Sequence, residues 1–219
     1  MFLHLDIETI PTDDPDVVKR LICEIEAPGN YKDPEKINEY KLMKSSEVVA
    51  KTALDGAYGR IAVIGFAFDD EDPVTYKLND FSSEKAMIST YFEIVGYRCV
   101  GRRPTVVGHN IVGFDLRFVL QRALVHGLRV PAWFPIDPKP WGDEVIDTMI
   151  AWAGARGTVS QDKLCRVLGV EGKGDIDGSM VAGLWAEGRY DEVGAYCADD
   201  VRRQREVAMR ILRCLGRIY

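Results

Sequence analysis

The chain opens on MFLHLDIETIPT, an apolar run carrying two carboxylates, Asp6 and Glu8, one residue apart. The run reads as a short buried strand. On a strand, positions two apart share a face. Asp6 and Glu8 therefore stand side by side on one face of a buried element. Two unpaired charges there repel each other and are costly to desolvate. Any fold built on this strand must bring counter-charge to that face or leave it open to solvent.

The rest of the chain alternates between strand and helix signals. Asp14-Pro15 offers an N-cap and a first-turn proline to the helix DVVKRLICEIEA, which Pro28-Gly29-Asn30 breaks. Asp33-Pro34 repeats the signal before EKINEYKLMKSSEVVAKTAL, and Asp55-Gly56 with Gly59 marks a turn. RIAVIGFAFDD reads as a second strand and PVTYKLND as a third, joined as a hairpin through the acidic turn between them. SEKAMISTYFEIVGYR has helical spacing, PTVVGHN reads as a strand, and GFDLRFVLQRALVHG as a helix closed by Gly127. VIDTMIAWA, SQDKLCRVLGV, GSMVAGLWAEG and YDEVGAYCADDVRRQREVAMRILRCL read as further helices. This order predicts a single α/β domain over 1–219, a mixed central sheet flanked by helices, with a helical insertion at about 12–58.

Composition narrows the function classes. No apolar run approaches the ~20 residues of a membrane span, and the start lacks a basic n-region, so a cytoplasmic address without membrane contact is expected. The five cysteines and three histidines form no CxxC or zinc-type spacing. The net charge of −6 argues against a protein that coats nucleic acid non-specifically. It leaves room for an enzyme that grips one strand locally.

Two further places carry acid in unusual settings. Asp115, in GHNIVGFD, follows a strand and starts a helix; Tyr196 and Asp200, in YCADD, are four apart and share a helix face. Alone, each has a bland alternative: a turn aspartate, or an acid pair facing water. Four carboxylates converging from separate elements require counter-charge, and hard oxygen ligands suit Mg²⁺ or Mn²⁺. Two such ions, about 3.5–4 Å apart, stabilise the attacking and leaving oxygens of a phosphoryl displacement.

DIET, HNIVGFD and YCADD, in this order, resemble the three exonuclease motifs of the tyrosine-bearing branch of the DEDD superfamily: D-x-E, N-x-x-x-F-D and Y-x-x-x-D. The likeness is narrower still to stand-alone predicted 3′–5′ exonucleases of bacteria and phages, similar to the proofreading domain of family-B DNA polymerases. It covers most of the chain, including GRIAVIGFAF and DTM, and leaves about 12–58 outside. The resemblance implies an RNase H-like fold and a 3′–5′ exonuclease acting on DNA, as single strands or frayed ends, with two divalent ions, Mg²⁺ or Mn²⁺. By the same resemblance, Asp6 would bridge both ions, Glu8 and Asp200 would ligate the ion that activates water, and Asp115 would hold the second. Tyr196 would orient the attacking water. Asn110 and Phe114 would contact the terminal nucleotides, with core packing an equal alternative for Phe114. Thr9 would touch the 3′ end and Ile10 would wedge against the terminal base.

Other residues carry plainer expectations. Asp199 falls outside the motif spacing, His109 fills a structural position, and Asp147 caps a helix. Lys173 either touches phosphate or belongs to a solvated loop. The arginines from Arg202 to Arg217 either line the site or form a solvated face. Nucleic acid is the expected partner, DNA before RNA, with a polymerase or repair protein as a further one. The competing readings are an RNA-trimming exonuclease and a non-catalytic binding module on the same scaffold.

Overall fold

The computed structural model describes residues 1–139, 142–172 and 174–218. The opening segment is a strand, β1 (Phe2–Ile10). Two helices follow, α1 (Pro15–Cys23) and α2 (Pro34–Lys51), each with the expected aspartate N-cap and first-turn proline. Then come β2 (Arg60–Phe68), β3 (Val74–Lys77), α3 (Glu84–Arg98), β4 (Thr105–Gly108) and α4 (Asp115–Val125). The chain continues through β5 (Val145–Asp147), α5 (Thr148–Ala153), α6 (Gln161–Leu168), α7 (Val181–Ala186) and α8 (Tyr190–Cys214).

The sheet order is β3-β2-β1-β4-β5, with β1 central. β2 runs antiparallel to both β1 and β3, while β1, β4 and β5 are parallel, so the sheet is mixed, as expected. VIDTMIAWA, read from sequence as one helix, is corrected: Val145–Asp147 is the edge strand β5, and the helix begins at Thr148. Three residues are too few to display a period, and pairing with β4 decides their state.

The two faces of β1 receive different partners. Leu5 lies opposite Phe66 on β2, and Phe66 meets Tyr91 of α3 edge-on at 5.3 Å, so the odd-numbered face turns toward α3 and the main core. Asp6 lies opposite Gly65, and this face receives α8, whose Cys197 sulfur sits 3.5 Å from the Asp6 carboxylate. Gly65 is required for that approach: a Cβ there would stand 2.7 Å from Cys197 Sγ. A second small core of Leu164, Cys165, Val170 and Val207 fixes α6 on α8.

The excursion between β1 and β2 leaves from a register shift after Glu8. Its ends are tied together where Thr9 Oγ1 donates to the Ala53 carbonyl (2.6 Å) and the Thr12 amide to Thr52 Oγ1 (2.9 Å). Neither α1 nor α2 buries a residue; the pair rests on itself and on the sheet's margin, with Arg20 over the Tyr58 ring at 5.4 Å. Beneath it, a buried ion pair joins Glu84 of α3 to Arg122 of α4 at 2.8 Å. Among the described residues no helix is long and apolar enough to cross a membrane.

Candidate active site

The β1–β4 ladder covers Phe2 to His4 and then stops, because β4 ends at Gly108. Just beyond it, the backbone of β1 finds side-chain partners. The Ile7 amide donates to Asp115 Oδ1 (2.9 Å), and the Leu5 carbonyl accepts from Gln204 Nε2 (2.8 Å). Asp115, first residue of α4, is thereby anchored between the two strand carboxylates; an acid in a first helical turn also suits the helix dipole. Asp200 and Tyr196 arrive from the opposite side on α8, both buried.

These five residues meet. Oxygen ligand atoms of Asp6 and Glu8 lie, with Cys197 Sγ, within 4.8 Å of one another. Burial, then Asp115, Glu8 and Asp200 in that order, pushes the Asp6 carboxyl well above the usual carboxylate range. Burial also drives Asp115 up to about 8, with Asp147 and Asp200 adding to it and the Ile7 amide opposing. The Tyr196 hydroxyl is hydrogen-bonded to Asp200; burial, Asp200 and Glu8 hold its phenol far above the usual value. Burial and the Asp6 and Glu8 charges likewise raise the Cys197 thiol, which donates to Asp6 as a neutral group.

The loop before Asp115 is shaped for its position. Asn110 adopts a left-handed backbone, φ 56°, and its side chain covers Gly113, where a Cβ would come 2.6 Å from Oδ1. Asp147 caps α5 through the Met149 and Ile150 amides, as expected, and also accepts from the Asn110 and Val112 amides at 3.0 and 3.1 Å. His109 has the structural role expected of it: Nδ1 pairs with Thr148 Oγ1 and Nε2 with the Val159 carbonyl, both at 2.9 Å. Phe114 is half-buried, tilted against Phe118 at 5.6 Å, so packing and partial exposure coexist.

Thr9 is half-buried, its hydroxyl donating to Ala53. Ile10 is corrected: it lies in the core at 6% exposure, which leaves it a packing residue rather than a wedge. Asp199 faces solvent and pairs with Arg202 at 2.7 Å. The C-terminal arginines do not form one surface stripe. Arg205 donates to the Glu71 carbonyl, Arg210 to the carbonyls of Leu168 and Gly169, and Arg203 is buried against Asp200. Lys173 lies outside the described residues.

Cys197, Gln204 and Gln161 escaped the sequence reading, as did the pairing of Arg203 with Asp200. On α8, Cys197, Arg203 and Gln204 share the stripe of Asp200, at three residues before it and three and four after. That spacing was the available signal. Gln161 donates from α6 to the Asp200 carbonyl (3.0 Å), a contact between distant segments that no local pattern announces.

With this geometry in hand, the comparisons with known proteins are specific. Residues 52–218 match the family described as predicted 3′-5′ exonucleases related to the exonuclease domain of PolB. The chain belongs to this family. The match begins after β1 and the α1–α2 excursion, so Asp6 and Glu8 lie outside it, whereas Asp115, Tyr196 and Asp200 lie within. No curated protein matches. Among solved structures, the family B DNA polymerase from the hyperthermophilic archaeon Pyrobaculum calidifontis superposes with a TM-score of 0.61 at 17% identity. That superposition covers 96% of this chain and 24% of the polymerase, so the chain spans about a quarter of its length. The mixed sheet and flanking helices are those of an RNase H-like exonuclease fold.

Proposed function

We propose that the protein is a 3′–5′ exonuclease that hydrolyses the terminal phosphodiester of DNA, on single strands or frayed ends, and releases nucleoside monophosphates. The single observation that carries this reading is the convergence of Asp6, Glu8, Asp115 and Asp200 from three separate elements, with the Tyr196 hydroxyl beside Asp200. Such a cluster is destabilising unless it has work to do. Family membership supports the reaction class.

The donor set fits hard divalent ions. Every candidate ligand is a carboxylate, and the one sulfur nearby belongs to a thiol that burial keeps protonated. Asp6, Glu8, Asp115 and Asp200 would hold two ions, Mg²⁺ or Mn²⁺. Such ions, when bound, activate water and neutralise charge on the phosphate.

The chain's own groups do the positioning. Tyr196 keeps its proton at neutral pH and donates it in a hydrogen bond to Asp200, so its hydroxyl oxygen would orient the attacking water as an acceptor, without acting as a base. Asp115 holds its place through the Ile7 amide. Asn110, Phe114 and Thr9 sit on the segments next to the acids and would receive the terminal nucleotides. Phe114 would stack on a base without reading its identity. We treat 1–219 as one domain with an insertion at about 12–58, working alone or beside a polymerase or repair partner.

The test is a gel assay with 5′-labelled DNA and RNA single strands of one sequence, in Mg²⁺, Mn²⁺ or EDTA. A metal-dependent ladder shortening from the 3′ end, absent with Asp6→Ala, is expected, with DNA degraded faster than RNA. No cleavage by the folded wild type in either metal would overturn the reading. Faster cleavage of RNA would turn it toward RNA trimming.

A further inference from the structure

Each carboxylate of the cluster sits on a different kind of support. Asp6 and Glu8 ride on the central strand, and Asp115 is pinned by the Ile7 amide. Asp200 sits on a helix, and its side chain is held by the Tyr196 hydroxyl and by Arg203, one turn further along α8. Its Nε and Nη2 lie 3.1 and 2.8 Å from Asp200 Oδ1, and both residues are buried.

The geometry discriminates between two roles for this arginine. A fork, one donor to each oxygen, would engage both oxygens of the aspartate. Here both donors converge on Oδ1, so the pair with Arg203 engages that oxygen rather than Oδ2. Arg203 and Asp200 also share one helix, so the pair moves as a unit. Gln161, from α6, holds the Asp200 carbonyl at 3.0 Å and completes the clamp from a second element.

We propose that Arg203 is a positioning residue for Asp200: it grips one carboxylate oxygen and thereby presents the other to the shared acidic pocket. This rests on the metal-centre reading above and adds a residue to it. Groups that orient a metal ligand typically contribute about 10–100-fold to metal affinity or activity. Lysine is a poor substitute, because a point ammonium on a flexible stem cannot place two fixed nitrogens on that oxygen as the guanidinium does.

The experiment measures Mn²⁺ binding to EDTA-stripped protein by electron paramagnetic resonance, alongside circular dichroism for folding. Arg203→Gln is expected to weaken Mn²⁺ binding by about 10-fold or more while the protein stays folded, and Arg203→Lys to recover part of the loss. In an Asp200→Asn background, the Arg203→Gln change should cost nothing further, a result that a general structural role would not produce. If Arg203→Gln does not fold, Arg203→Lys carries the test, with weaker binding expected. Unchanged or tighter Mn²⁺ binding in a folded Arg203 variant would overturn the proposal and make the arginine a competitor of the ion. A wild type that binds no Mn²⁺ would overturn the metal centre itself, and this inference with it.

Discussion

Replacing Gly65 by alanine should disable the site without unfolding the protein, because it acts on the approach of α8 and on none of the acids. The added Cβ would lie 2.7 Å from Cys197 Sγ and 3.2 Å from Val201 Cγ2. Ordinary contact distances are about 3.5–4 Å, so α8 must retreat by about 1 Å. Overpacking of this kind typically costs about 1–3 kcal/mol, and the alanine returns about 0.4–1 kcal/mol by restricting the unfolded chain. The net loss is about 1–2 kcal/mol, or about 2–8 °C in Tm for a chain of this size. Tyr196 and Asp200 both travel with α8, and a 1 Å misplacement of catalytic groups can cost about 10²-fold in rate. The assay pairs thermal denaturation with exonuclease rate for Gly65→Ala, Cys197→Ala and the double variant. Cys197→Ala alone should cost about 1 kcal/mol. The double variant should regain most of the rate, because the clashing sulfur is gone, and show coupling of about 0.5–3 kcal/mol. A Gly65→Ala protein with wild-type rate and stability would refute the reasoning, as would failure of Cys197→Ala to restore any rate.

Other outcomes follow from the same geometry. Tyr196→Phe should leave Mn²⁺ binding intact and slow turnover by less than loss of a ligand does; single-turnover kinetics with a parallel Mn²⁺ titration would check this. Mn²⁺ at about 100 times its Kd should stabilise the protein by about 2.7 kcal/mol, and Asp6→Ala should abolish that gain in a thermal-shift assay while raising or preserving stability in EDTA. For Glu84, burial pushes its carboxyl up, but Arg122, the Ile61 amide and His126 together outweigh it and hold the group below its usual range. A depressed carboxyl contributes stability above its unfolded value and loses it as pH falls through the folded one. Denaturant midpoints should therefore fall below about pH 4.5, and Glu84→Gln should flatten that slope while lowering stability at neutral pH.

Much of this protein was legible without coordinates because its signals are local. The alternation of FLHLDIETI, the Asp-Pro helix starts and the glycine stop after α4 depend on period, capping and backbone freedom within a few residues. The three acidic motifs were visible for the same reason: each is a short pattern inside one element. Tertiary structure decided what depends on meeting. Val145–Asp147 became a strand because β4 was there to pair with it. Ile10 went to the core because of the register of β1 against β2, and the basic stretch of α8 dissolved into separate partnerships when loops from elsewhere supplied carbonyls. The site itself is of this second kind. One aspartate is held by a strand amide, another by an arginine one turn away, and the two glutamines bridge segments far apart in sequence. Sequence determined which residues carry charge and in what local frame. Only the close packing of α8 over Gly65, with Asp115 of α4 held at the Ile7 amide, brought those charges to one point, since a distance between elements is set by the volume of what lies between them.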